Sequence, residues 1–290
     1  MIGNTPLIRC KNIEKEFELN NEIYAKVEAY NPSGSVKDRP AYLMVKKFKE
    51  EGFLKDGGCV IEATSGNMGI SLAYFQEELN YQAIIVMPSS MTLERREKIQ
   101  SLGAKLVLVD GGMAECNEKA KAIKEQTGGL LLRQFENPNN LLAHYLSTAP
   151  EIDKIINDVD YIFAGIGTGG TASGIGTYYK EHHKLTKIIG VEPDESPLIT
   201  KGHAGKHLIQ GIGANFVPKI LNLKVVDEVI TVKSEDALGF AKKIREVENI
   251  DCGYSSGAAM QACINYLKEH NIEGKKVVVI LPDKGDRYPW

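Results

Sequence analysis

The sequence has little that would commit it to a special environment. Its five cysteines, Cys10, Cys59, Cys116, Cys252 and Cys263, are scattered and odd in number. No CxxC pair occurs, so neither a zinc knuckle nor a disulfide framework is suggested. A reducing cytoplasm is the expected setting. No apolar run approaches the length of a membrane span. The opening residues, MIGNTPLIRC, lack the basic and apolar regions of a signal peptide. Neither sign of charge dominates: 35 Lys and Arg stand against 38 Asp and Glu, a net charge of -3. That balance excludes the basic field expected of a protein that grips nucleic acid or an anionic membrane. There is no internal repeat and no low-complexity linker. There is also no HExxH, and His182 and His183 in KEHHKL have no carboxylate at ligand spacing, so no metal is expected.

What is present is the pattern of an α/β protein. The chain has 290 residues, 43% hydrophobic and 25% charged, enough for one large or two ordinary domains with a real core. Short apolar runs alternate with amphipathic stretches. NEIYAKVEAY (21–30), GGCVIEA, YQAIIVMP and AKLVLVD read as strands. DRPAYLMVKKFKEEG (38–52), NMGISLAYFQEELN, TLERREKIQSLG and MAECNEKAKAIKEQTGG (113–129) read as helices. The second half repeats the rhythm from YIFAGIG to KKVVVILP. Strands whose apolar residues do not alternate are buried on both faces. Strand–helix repetition implies βαβ units and mostly parallel sheets. Two α/β lobes are expected, with a ligand at the C-terminal ends of strands.

Two turns carry candidate chemistry. AGIGTGGTASG (164–174) follows a strand and opens a helix. Gly167, Gly169 and Gly170 permit a tight turn with exposed N–H groups, Thr168 and Thr171 add hydroxyls, and the helix adds its positive dipole end. The loop is neither a P-loop nor GxGxxG. It is either a plain glycine-rich turn or a seat for a dianion, best filled by a phosphate on a small cofactor. EATSGNMGIS (62–71) is a second strand-to-helix turn. Thr64, Ser65 and Asn67 form either an ordinary N-cap cluster, the reading favoured for this stretch alone, or a grip for a carboxylate. One lysine, Lys37, sits in the small polar run NPSGSVKD. It is either a solvated charge or an amine able to form a Schiff base with an aldehyde. Pyridoxal 5'-phosphate carries both an aldehyde and a phosphate.

The motifs NPSGSVKDRPA, EATSGNMGISLA, MPSSMTLERR, RQFENPNN, AHYLSTAPEI, GIGTGGTASGIG, GVEP, IQGIGANFVP, VDEVI, GYSSGAAM and LPDKGDRY occur in that order along nearly the whole chain. Together they resemble the cysteine synthase (O-acetylserine sulfhydrylase) and cystathionine β-synthase family of pyridoxal-phosphate enzymes. The resemblance implies a tryptophan synthase β-like, fold type II architecture. Residues 37–139 would form an N-terminal lobe with a mobile substrate-carboxylate subdomain. Residues 1–36 plus 140–290 would form a C-terminal lobe carrying the phosphate cup. It implies that Lys37 is the Schiff-base lysine and general base, and that Gly167, Thr168, Gly169, Gly170 and Thr171 hold the phosphate. Asn67 would meet the ring hydroxyl oxygen and Ser255 the pyridine nitrogen. Thr64, Ser65, Met68 and Gln134 would bind the substrate carboxylate, and Asn215 would approach the β-carbon side.

The activity so implied is β-replacement on a small amino acid, forming L-cysteine from O-acetylserine and sulfide through an aminoacrylate, with the small lobe closing on the carboxylate. A homodimer, and a serine acetyltransferase C-terminus as a possible partner, are implied as well. Two positions depart from the family pattern. Met68 replaces a threonine in TSGNTG, which either reshapes the carboxylate grip or leaves its backbone N–H to act alone. Asn215 stands where sulfhydrylases usually have glycine, either to hydrogen-bond a leaving group or nucleophile, or because Asn tolerates left-handed backbone. These departures support an alternative: replacement or elimination on serine or cysteine, as in cystathionine β-synthase-like, lanthionine-forming or sulfide-releasing enzymes, with a thiol as the nucleophile where replacement occurs. A catalytically weak binding paralogue and a dehydratase are more distant alternatives, the first opposed by the intact Lys37, GTGGT and Ser255.

Overall fold

The computed structural model describes residues 1–64, 66–182 and 185–288; Ser65 and His183 lie outside the described residues. Ten strands occur among them: β1 (Leu7–Arg9), β2 (Glu22–Val27), β3 (Cys59–Ala63), β4 (Gln82–Pro88), β5 (Lys105–Val109), β6 (Leu130–Leu131), β7 (Tyr161–Gly165), β8 (Lys187–Pro193), β9 (Glu228–Val232) and β10 (Lys276–Leu281). The chain divides into two compact units, Lys37–Asn140 and Met1–Val36 with Leu141–Trp290. Each holds a largely parallel sheet flanked by helices, the α/β architecture expected from the alternation of apolar and amphipathic runs.

In the unit Lys37–Asn140 the strand order is β5-β4-β3-β6, all parallel. β3 and β4 are largely buried on both faces, and the two faces bury different partners. Val60 and Ile85 pack with Met44 and Leu72 from the helices Asp38–Glu50 and Asn67–Phe75. Ile61 and Ile84 pack with Cys116 and Ala120 of the helix Met113–Thr127. That helix ends where Gly128 turns left-handed at φ 67° and donates its N–H to the Lys124 carbonyl, a glycine stop.

The other unit carries six strands in the order β1-β2-β10-β7-β8-β9, with only the β1–β2 pair antiparallel. β10 lies inside this sheet, and Val277–Leu281 are at most 1% exposed. An uninterrupted VVVIL run suits that double-sided burial. The helices Ser234–Glu248 and Tyr254–Glu269 meet at backbone distance. A Cβ on Gly257 would stand 2.0 Å from the Ala237 carbonyl oxygen and 2.5 Å from the Ala241 nitrogen.

Several boundaries differ from expectation. The strand read over 21–30 stops at Val27 and continues as a 3-10 turn, Glu28–Tyr30. The helix expected to run to 79 stops at Phe75, because Asn80 adopts left-handed backbone and Tyr81 donates back to the Gln76 carbonyl to feed β4. β1 and β6 were not anticipated, being three and two residues long, too short to show a period. Nor was the helical run from Pro138 to Ile155, which includes a π-helical turn at His144–Thr148. No helix among the described residues is long and apolar enough to cross a membrane.

Candidate active site

In the unit Lys37–Asn140 the candidate residues gather at strand C-termini and helix starts. Lys37 stands immediately before the helix Asp38–Glu50, with its backbone already helical and its carbonyl accepting the Ala41 N–H at 2.9 Å. Its neighbour Asp38 is fully buried and accepts a 2.6 Å hydrogen bond from the Ser71 hydroxyl. Ser71 belongs to the helix Asn67–Phe75, so this bond ties the lysine turn to the helix that follows TSGN. A buried carboxylate with a short hydroxyl donor is a strong local constraint.

The loop after β3 begins with Thr64, whose N–H reaches the Val86 carbonyl and whose hydroxyl accepts the Gly66 N–H at 3.2 Å. Asn67 is the first residue of its helix. The positive end of the helix dipole favours an anion there. Met68 is 1% exposed and joins the core beside Met44 and Leu72. Its side chain therefore fills the interior, and only its backbone N–H is left for the loop. A side chain packed in the core is the arrangement expected if the backbone alone serves the loop.

Gln134 leaves the neighbouring strand. β6 pairs with β3, and two residues beyond it Arg133 turns left-handed at φ 56°. Gln134 is buried, and its carbonyl accepts a 2.8 Å bond from the Asn140 amide. The turn is held by a residue that sequence reasoning missed. The Glu62 carboxyl, on β3, accepts the Arg133 N–H at 2.9 Å and the Gln134 N–H at 3.3 Å. Burial pushes this carboxyl up to about 7, and the N–H donors of Gln134 and Arg133 oppose that rise.

In the other unit, the glycine loop bridges β7 and the helix Gly170–His182. Two of its glycines are required by space. A Cβ on Gly167 would lie 2.3 Å from the Gly211 carbonyl oxygen, and one on Gly169, at φ 80°, would lie 2.8 Å from Leu221 Cβ. The Thr168 hydroxyl accepts the Gly170 N–H at 3.3 Å. Thr171 Oγ1 lies 3.3 Å from His144 Nε2, whose ring also meets Thr148 through Nδ1 at 2.9 Å. His144 was not singled out in the sequence. It sits in the π-helical turn, and Gly174 makes room for it: a Cβ there would stand 2.7 Å from His144 Cβ.

Ser255 is the second residue of the helix Tyr254–Glu269 and is buried. A Cβ on Gly211 would come within 4.0 Å of its hydroxyl. Gly211 therefore abuts both the Gly167 turn and Ser255, which places the glycine loop and the serine around one segment, Gly211–Gly213. The helix start is fixed from LPDKGDRY, where the Tyr288 hydroxyl donates to Asp283 at 2.6 Å and the Asp283 carbonyl accepts the Gly253 N–H. Asn215 lies beyond, exposed, and its backbone is not left-handed, whereas Gly211 and Gly213 are. Conformational tolerance therefore does not account for asparagine here. Cys252 is fully buried and its thiol is pushed well above the ordinary range by burial, as befits a structural cysteine.

These features fit a phosphorylated pyridine cofactor. The loop 165–174 contains no acidic residue, its Gly167 and Gly169 lie against Gly211 and Leu221 where no Cβ would fit, and the helix Gly170–His182 starts within it. Ser255 adds a buried, uncharged hydroxyl at a helix start beside the same segment. Among the described residues no cluster of three or more His, Cys, Asp or Glu side chains is placed to hold a metal.

Comparison with known proteins agrees with this chemistry. The chain is 46% identical over 300 residues to a cysteine synthase of Buchnera aphidicola subsp. Schizaphis graminum, covering 99% of this chain and 92% of that one. Among solved structures, O-ureido-L-serine synthase superposes with a TM-score of 0.95 at 35% identity, covering 99% of this chain and 91% of that one. A hydrogen sulfide-producing enzyme from Fusobacterium nucleatum gives a TM-score of 0.94 at 39% identity, covering 99% and 97%. The model of the family described as "Pyridoxal-phosphate dependent enzyme" matches residues 1–283. With that span, and with relatives of this identity along almost its whole length, the chain belongs to the pyridoxal-phosphate dependent enzyme family.

Proposed function

We propose that the protein makes L-cysteine by β-replacement, exchanging the acetate of O-acetylserine for sulfide. The observation that supports this reading is an uncharged hydroxyl, Ser255, buried at a helix start beside the Gly167–Gly211 contact, where the family resemblance would set it against the cofactor ring nitrogen. When bound, pyridoxal phosphate supplies an aldehyde for the amine and a ring that takes up electron density from the α-carbon. A serine hydroxyl does not keep the ring nitrogen protonated as a carboxylate would. That restrains electron withdrawal and favours loss of the β-substituent over transamination. Cysteine synthase is also the name of the Buchnera relative.

The chain's own residues divide the work. Gly167–Thr171 holds the phosphate through backbone N–H groups, the Thr168 and Thr171 hydroxyls and the helix dipole. Asn67 meets the ring hydroxyl oxygen. Lys37 holds the cofactor covalently at rest, and its freed Nζ takes the α-proton and later returns it. Thr64, Ser65, the Met68 N–H and Gln134 bind the substrate's α-carboxylate at the start of the helix Asn67–Phe75. Acetate leaves with the bonding pair, and sulfide brings a pair to the β-carbon, so the exchange is balanced. Asn215, exposed and not left-handed, is available to hydrogen-bond the leaving group or the nucleophile. A homodimer, and docking of a serine acetyltransferase C-terminus, complete the proposal.

A second reading, sulfide release from cysteine, is favoured by the exposed Asn215 and by likeness to the hydrogen sulfide-producing enzyme. One experiment separates the two. The purified holoprotein should show a visible absorption band that Lys37→Ala abolishes. O-acetylserine should shift the band with release of acetate, and sulfide should restore it. If cysteine shifts the band and releases sulfide while O-acetylserine leaves it unchanged, the second reading replaces the first. A wild-type protein with no visible band after reconstitution refutes both.

A further inference from the structure

Glu62 is a buried acid that the proposed mechanism leaves without a task. It is 4% exposed, and its carboxyl accepts the backbone N–H groups of Arg133 and Gln134 at 2.9 and 3.3 Å. The Gln134 side-chain amide lies near enough to the carboxyl to favour its charged form. Thr64 lies two residues further along the same strand end. β3 and β6 are adjacent and parallel, so Glu62 reaches from the strand that leads into the TSGN loop to the turn that presents Gln134. That turn needs support, because Arg133 holds left-handed backbone, which costs a non-glycine residue free energy.

The geometry points to Glu62 as the positioning residue for Gln134: its carboxylate holds the glutamine's amide in the orientation that donates to the substrate's α-carboxylate, and protonating Glu62 releases that hold. A glutamine amide has two N–H donors and one carbonyl oxygen, and its orientation is set by its partners. An ionised carboxylate only accepts. It therefore binds the NH2 end, leaving the second N–H of the same nitrogen for the substrate. A protonated carboxyl can donate instead to the carbonyl oxygen, and the amide is then free to flip. The inference rests on the reading of Gln134 as a substrate-carboxylate residue.

The charged and titratable groups around Glu62 do not obscure this behaviour. β4 and β6 carry none. The helix Met113–Thr127 presents the buried Cys116 to the opposite face of β3. The helix Asp38–Glu50 brings the buried Asp38, bonded to Ser71, and Arg39. The turn itself adds Arg133 and Glu136. None of these charges contributes to the carboxyl's shift, which comes first from burial and is opposed by the Gln134 and Arg133 donors, leaving it at about 7. Protonation is therefore favoured in the folded chain up to near neutrality. The sign differs between function and stability. Since the folded carboxyl lies above its unfolded value, the stability it contributes is complete below the ordinary carboxylate range and is lost as pH rises through about 7. Substrate affinity moves the other way and improves over the same rise.

The test measures KM and kcat for O-acetylserine on the holoprotein from pH 6 to 8.5, in wild type, Glu62→Gln, Glu62→Asp, Gln134→Ala and the Glu62→Gln/Gln134→Ala pair. Wild-type KM is expected to rise roughly tenfold on acidification, the size of one charge-assisted hydrogen bond, while kcat changes little. Glu62→Gln should show the high KM at every pH and lose the stability slope. Glu62→Asp should recover part of the affinity, and the double variant should be no worse than Gln134→Ala. If Gln134→Ala raises KM but Glu62→Gln keeps the wild-type values and profile, the positioning role is wrong and the reading of Gln134 stands. If Gln134→Ala leaves KM unchanged, the reading of Gln134 fails and the inference fails with it. Should Glu62→Gln not fold, wild type against Gln134→Ala decides: the KM transition near neutrality must vanish in the variant, and its persistence overturns the proposal.

Discussion

Replacing Met68 by the threonine usual at its position tests whether this residue serves the site or the core. Met68 is 1% exposed and packs among Ala41, Met44, Leu72 and Ile85. Truncating a buried methionine to alanine costs about 2–5 kcal/mol. Threonine restores one methyl but buries a hydroxyl, which costs about 1–3 kcal/mol if it finds no partner. The two changes partly offset, and a net loss of roughly 3 kcal/mol is expected for Met68→Thr. At about 2–4 °C per kcal/mol for a chain of this size class, Tm should fall by roughly 6–12 °C. Thermal unfolding of the holoprotein, with the denaturant midpoint as a second probe, reads this directly. Because only the backbone N–H faces the loop, KM for O-acetylserine in the surviving folded fraction should change less than about twofold, under 0.5 kcal/mol. An unchanged Tm together with a tenfold change in KM would refute the assignment of this side chain to the core.

Two further expectations follow from burial. Gly257→Ala places a methyl 2.0 Å from the Ala237 carbonyl oxygen, so the helices must separate at a cost of about 3 kcal/mol. Gly239→Ala, at an exposed position of the same helix pair with nothing within 4 Å, should instead stabilise by about 0.5–1 kcal/mol; equal effects in parallel denaturant titrations would contradict the packing. Of the five cysteines, only Cys59 is partly exposed, and Cys10 is pushed up to about 12 by burial. A thiol reagent should therefore count one fast group per native chain, lost in Cys59→Ser, and the remaining four only after unfolding.

Much of this protein was legible in its sequence. Apolar runs such as VVVIL and AIIVMP declare strands buried on both faces, because no other element hides such a run so economically in length. The glycine loop was readable because glycine is the residue that permits close backbone approach, and Gly167 and Gly169 stand where a Cβ would collide. Motif order along the chain was enough to indicate the family. Tertiary structure alone decided what each side chain touches. That Met68 faces inward depends on which helix face meets β3 and β4. That Asn215 is not left-handed depends on a loop path in which Gly211 and Gly213 already supply the reversals. Glu62 gave no signal as a polar residue in an apolar strand. Its meaning comes from a partner seventy-two positions away, brought beside it by a two-residue strand too short to show any periodicity. Sequence spacing determines local conformation, whereas strand adjacency determines which buried acid finds which amide, and that adjacency is a property of the folded chain.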